Sequence, residues 1–74
     1  MNSKLILVIN CGSSSLKFAL YTAQLELLSE GLAESLNSEK ATLKINFFQL
    51  QNKQTFVTKN HKSAINIIIT ELQK

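Results

Sequence analysis

A period of two runs through most of this chain and gives way once, at Asn60, to the period of a helix. Leu16, Phe18 and Leu20 alternate with Lys17, Ala19 and Tyr21, and Leu43, Ile45 and Phe47 alternate with Lys44, Asn46 and Phe48. Successive side chains of an extended strand point to opposite faces, so both segments read as strands with one apolar and one mixed face. Gln51, Asn52, Lys53 and Gln54 form a polar turn, after which Thr55, Phe56, Val57 and Thr58 resume β-forming residues and complete a hairpin. Beyond Asn60, a suitable helix cap, Ala64, Ile65, Ile68, Ile69 and Leu72 recur at helical spacing while Glu71 and Lys74 face away.

Two further segments complete the order. Residues 5–9 (Leu-Ile-Leu-Val-Ile) are a continuous apolar, β-branched run, the pattern of a strand buried on both faces at the centre of a sheet. In the stretch from 25 to 36, Leu25, Leu28, Leu32 and Leu36 suit a helical face, yet Leu25 and Leu27 alternate around Glu26. Gly31 would weaken a helix interior by about 1 kcal/mol, which favours a strand with a bulge or phase change near Gly31. The expected architecture is α/β, with mainly antiparallel strands at 4–10, 15–21, 25–35, 42–49 and 54–58 followed by a helix at 61–73. The polar residues 37–40 form a loop.

At 74 residues the chain makes one small domain at most, and a domain of this size buries only about 60% of the surface its unfolded chain exposes. One cysteine and one histidine are too few for a disulfide or a structural metal, so something else must complete the fold. Ile67, Ile68 and Ile69 in a row give the helix apolar surface on more than one side. There is no proline, no repeat and no linker-like segment. All eight basic residues are lysines and all five acidic ones glutamates, and the lysines are spread along the chain. A nucleic-acid binder reads phosphates and bases with clustered arginine, so no nucleic-acid partner is expected. Residues 5–9 are too short to span a membrane, and one unpaired cysteine suits a reducing compartment; the expectation is a cytoplasmic protein.

The stretch Asn10-Cys11-Gly12-Ser13-Ser14-Ser15-Leu16-Lys17 carries the chemistry. Gly12 permits a tight turn, the three serines offer hydroxyls, Lys17 offers a mobile positive charge, and Asn10 offers a neutral hard oxygen suited to magnesium. The pattern lacks the second glycine and the following helix of a Walker A loop. A hairpin turn instead aims backbone N–H groups and hydroxyls at whatever lies over it, and such donors form an anion-binding concavity. On composition alone, a Gly-Ser-Ser-Ser run is also a plain solvated turn. Cys11 reads as a small packed side chain, His61 and Lys62 as a solvated helix start, and Glu26, Glu30 and Glu34 as a solvated strand edge.

Residues 7–18, Leu-Val-Ile-Asn-Cys-Gly-Ser-Ser-Ser-Leu-Lys-Phe, resemble the amino-terminal signature of the acetate kinase family, to which propionate kinases are closely similar. Gly31-Leu32-Ala33-Glu34 and the hairpin leading into a helix extend that resemblance along the chain. The resemblance implies the start of a ribonuclease H-like domain of the acetate and sugar kinase, Hsp70 and actin superfamily, with residues 1–74 an incomplete amino-terminal part of it. It implies reversible phosphoryl transfer between ATP and acetate, giving ADP and acetyl phosphate, with magnesium required and the full-length protein a homodimer. By motif position it makes Asn10 the magnesium-site residue, Lys17 the ATP-binding residue, and Ser13 and Ser15 candidates for phosphate contact. The family's arginines and its catalytic aspartate, histidine and glutamate belong to later segments; His61 does not match that histidine. No catalytic residue is therefore expected among these 74, and the chain alone is expected to be inactive. The alternatives are a propionate kinase of the same family and a free-standing small protein that binds an anion or a partner.

Overall fold

The computed structural model describes residues 4–48 and 52–73. Within them the chain forms β1 (Leu5–Cys11), β2 (Leu16–Thr22), β3 (Leu27–Glu34), β4 (Thr42–Phe47), β5 (Asn52–Val57) and α1 (His61–Leu72). Residue 49 of the expected fourth strand, Gln51 of the expected turn and Lys74, expected to face away from the helix stripe, lie outside the described residues. Each strand pairs antiparallel with the next, giving one five-stranded sheet in the order β1-β2-β3-β4-β5.

Alternation sorts the side chains onto two faces. Leu16, Phe18 and Leu20 of β2, Ser29 and Ala33 of β3, and Leu43 and Ile45 of β4 are buried on one face, and Lys17, Glu30 and Lys44 are exposed on the other. Helix α1 covers the first face: Ala64 and Ile68 are fully buried and join Leu16, Phe18, Ala33, Leu36, Ala41, Leu43 and Ile45 in one core. Burial of an amphipathic helix face, rather than helix propensity, is what stabilises a twelve-residue helix in water.

The helix start is specified locally. Asn60 is extended (φ −143°, ψ −176°) and its Oδ1 accepts from the Ser63 N–H at 2.9 Å, while Ser63 Oγ accepts from the Asn60 N–H at 3.0 Å. These reciprocal bonds form a capping box and satisfy two backbone donors that the first helical turn leaves unpaired. On the apolar face Ile67, not Ile69, packs against the core; Ile69 is 43% exposed, a correction to the expected stripe. The helix crosses the sheet so that positions 64, 65, 67, 68 and 72 meet it, and 69 falls on the rim.

Two further expectations are corrected. The bulge in β3 lies at Leu28, not near Gly31, because Leu20 opposes Ser29 while Tyr21 opposes Leu27. Gly31 has a different role: it sits directly opposite Phe18, and a Cβ there would collide with the Phe18 ring and stand 2.6 Å from the Lys44 carbonyl oxygen. Strand β5 starts at Asn52 rather than residue 54, since Asn52 and Gln54 alternate inward with Phe56 despite their polarity.

The larger correction concerns β1. Its apolar run suggested a central strand buried on both faces, but β1 is an edge strand and Leu5, Ile6, Leu7 and Val8 are between 37% and 53% exposed. A sequential meander necessarily leaves its first strand at one end, and only Ile9 of β1 reaches the core under α1. The composition of a buried strand records a need for cover on both faces, which the described residues do not provide.

The β2–β3 connection carries local strain. Leu25 adopts a left-handed conformation (φ 65°) with its side chain 71% exposed, held by Leu25 N–H to Thr22 O and Thr22 N–H to Glu26 O, both 2.9 Å. A left-handed residue with a Cβ costs about 1–2 kcal/mol, which glycine avoids. Leu25→Gly is therefore expected to stabilise the fold by about 1 kcal/mol, measured as a higher midpoint of thermal or denaturant unfolding. A lowered midpoint would show that the leucine side chain makes a compensating contact.

Candidate functional site at the β1–β2 turn

The turn of residues 12–15 is short because Gly12 and Ser15 close it directly, Gly12 N–H donating to Ser15 O at 2.8 Å. A Cβ at Gly12 would stand 2.7 Å from Ser15 Oγ, so any other residue displaces that hydroxyl. Below the turn, the register pairs Asn10 with Lys17 and Cys11 with Leu16. Leu16 points into the core, fully buried, which places Lys17 and Asn10 side by side on the opposite face of the sheet, both exposed. Sequence alternation alone put Lys17 on the non-core phase, and the structure agrees.

Three segments remote in sequence converge on this turn. Leu36 N–H donates to Ser14 O at 3.0 Å from the loop of residues 35–41, whose Leu36 side chain is buried. Asn37 N–H donates to Lys59 O at 2.6 Å, tying that loop to the start of α1. His61, the first residue of α1, places Nε2 2.8 Å from the Gly12 carbonyl oxygen, and because a carbonyl only accepts, Nε2 carries the proton in this bond. The carbonyls of Gly12, Ser14 and Ser15 are thus each taken by an internal donor. Among the described residues, no hydrogen bond uses the N–H groups or hydroxyls of Ser13, Ser14 or Ser15. Three of the four turn carbonyls tied back, with the serine donors left open, are the arrangement of an anion cradle.

Beside the cradle, the sheet face away from α1 forms a concave surface of about 590 Å³. Asn10 and Lys17 line it, together with Tyr21, Glu30, Lys44 and Lys53. Three ammonium groups against one carboxylate favour a negatively charged ligand there. Ser13 and Ser15 do not line this surface; they belong to the turn at its end. Cys11 is a free, exposed thiol beside the turn and not the small packed side chain expected, because β1 is an edge strand and position 11 lies beyond the helix-covered core. Among the described residues no three or more histidine, cysteine, aspartate or glutamate side chains are grouped to hold a metal, so oxygen donors such as Asn10 Oδ1 are the ones on offer.

Sequence reading missed three of these residues. Lys44 and Lys53 lie on the same face as Lys17 through the pairings Lys17–Leu32–Lys44 and Asn46–Lys53, which no single segment discloses. His61 is not the solvated helix start it was expected to be but a half-buried bridge across 49 residues. One signal was available: a helix start favours anions, and α1 has no acidic residue in its first turn but begins His-Lys. Glu30 and Glu34 are exposed as expected, although on a central strand and not at a sheet edge.

The chain is similar throughout to known proteins. The model of the acetokinase family matches residues 5–74. An acetate kinase of Chromobacterium violaceum is 48% identical over 77 aligned residues, covering 100% of this chain and 19% of that protein. A propionate kinase of Salmonella typhimurium is 41% identical over 70 residues, 93% of this chain and 17% of its own length. An acetate kinase of Borrelia recurrentis is 39% identical over 79 residues, 97% of this chain and 19% of its own. The chain therefore spans about one fifth of the length of the curated relatives it matches.

Proposed function

Because the chain belongs to the acetokinase family, we propose that it is the amino-terminal portion of an acetate kinase and supplies part of the nucleotide and magnesium site. The observation that carries this reading is the β1–β2 turn, with the carbonyls of Gly12, Ser14 and Ser15 tied back, its serine donors open, and Asn10 and Lys17 paired beside it. In the proposed reaction a carboxylate oxygen of acetate attacks the γ-phosphorus of ATP. The bond from that phosphorus to the β,γ-bridging oxygen breaks, its electron pair leaves with ADP, and acetyl phosphate forms.

The division of labour follows from residue types. Lys17 binds phosphate oxygens as a point charge, and the N–H groups and hydroxyls of Ser13 and Ser15 orient them. Asn10 contributes a neutral oxygen donor to magnesium, directly or through its water; the bound ion neutralises phosphate charge. Transition-state charge on the transferring group needs further cations, and this chain has no arginine. Residues 1–74 by themselves supply only their part of the site and do not turn over substrate. The apolar, half-uncovered β1 supports the corollary that they are the first part of a single ribonuclease H-like domain, whose remainder covers that strand. A cytoplasmic homodimer completes the reading.

The intact protein, assayed by coupled ADP release, is expected to turn over acetate faster than propionate. Faster use of propionate would overturn the substrate and leave the family in place, a reading that the similarity to propionate kinases also supports. Asn10→Ala in the same assay is expected to raise the magnesium requirement about tenfold or more. An unchanged magnesium titration would remove Asn10 from the site.

A further inference from the structure

We infer that His61 is a positioning residue for the nucleotide cradle, acting by holding the Gly12 carbonyl; the inference rests on the reading of the β1–β2 turn as a phosphate site. A turn of four residues has as many carbonyl oxygens as backbone N–H groups, and an oxygen that swings toward a bound phosphate repels it. Ser14 O is held by a backbone N–H and Ser15 O by the turn's own closure, so neither depends on a side chain. Gly12 O is held by the His61 ring at 2.8 Å, and Gly12 is the residue with the least backbone restraint. Among the described residues, His61 is therefore the one side-chain tie on a carbonyl of the turn.

The tie is anchored at its other end. His61 opens α1 immediately after the Asn60–Ser63 capping box, and the preceding Lys59 carbonyl accepts from Asn37 N–H at 2.6 Å. Leu36 N–H in turn holds Ser14 O, so turn, loop and helix start close a ring of hydrogen bonds around residues 12–15. The helix itself is fixed to the sheet by buried Ala64 and Ile68. The imidazole thus transmits the position of α1 to the turn, without touching a reacting atom.

The test uses the intact kinase with His61→Asn and His61→Gln. A glutamine amide nitrogen is the same number of bonds from Cα as Nε2 and can donate to Gly12 O, whereas that of asparagine falls short. In H61N the KM for ATP is expected to rise about fivefold to tenfold, the loss of one hydrogen bond, with the KM for acetate unchanged. H61Q is expected to recover most of that affinity. Deuterium uptake of the peptide spanning residues 11–16 is expected to accelerate in H61N and return toward wild type in H61Q. Unaltered uptake in H61N would overturn the inference while leaving the proposed function standing. Equal loss in both variants, or a parallel rise in the KM for acetate, would also overturn it by showing a general structural role. Faster uptake with normal ATP affinity would overturn the link to nucleotide, and if Lys17→Ala were equally silent the proposed function would fall with it.

Discussion

Lys17→Ala is expected to raise the KM for ATP about tenfold to a hundredfold in the intact kinase, since a hydrogen bond to a charged group contributes about 1.5–3 kcal/mol. The fold should not suffer. Lys17 is exposed on the sheet face away from α1, its neighbours Leu16 and Phe18 carry the core contacts of β2, and surface substitutions of this kind stay within about 0.5 kcal/mol. Unfolding midpoint and ATP affinity measured on the same preparation separate the two effects. Lys17→Arg should recover only part of the loss, because a planar guanidinium does not occupy the place of a compact ammonium. An alanine variant with the wild-type KM for ATP would remove Lys17 from the site.

Gly31→Ala should produce the largest loss of stability, about 1–3 kcal/mol or more, for the addition of one methyl group. The new carbon would collide with the Phe18 ring and stand 2.6 Å from Lys44 O. Phe18 is 3% exposed and cannot swing out, and Lys44 O belongs to the β3–β4 ladder in which Gly31 opposes Ile45. Denaturant midpoints for G31A, F18L and the double variant apportion the clash. Trimming Phe18 relieves the ring contact and leaves the carbonyl contact, so rescue should be partial. A wild-type midpoint for G31A would mean that β3 and β4 separate freely at this point. The same pairing explains why a glycine is tolerated inside a strand: the aromatic ring opposite covers the surface that a missing side chain leaves open.

Much of the fold was legible because it depends on local periodicity. The alternation at residues 16–21 and 43–48 assigned each strand its inward face, and Asn60 marked the helix start by its own capping chemistry. Strand limits moved by one or two residues, as at Leu25, which belongs to a tight turn instead of β3. The bulge was misplaced because a glycine inside a strand signals either a bulge or a close approach, and only the position of Phe18 decides between them.

The site divides in the same way. Asn10, Gly12, the three serines and Lys17 fall within one eight-residue stretch, so their chemistry could be read off the chain, and the strand period put Lys17 on the non-core phase; that Asn10 shares its face needed the β1–β2 register. The lysine row of Lys17 and Lys44 needed the register across β3. The His61 bond to Gly12 needed the whole packing of α1 over the sheet, because it joins residues 49 apart whose local signals are unrelated. The position of β1 shows the limit most plainly. Its five apolar residues state that the strand seeks burial on both sides, a property of transfer free energy carried by each side chain. Whether that burial is met depends on which strands pair and where the helix crosses. Tertiary structure settled that question by placing β1 at the edge, since hydrophobic burial is non-directional and does not specify its own partner.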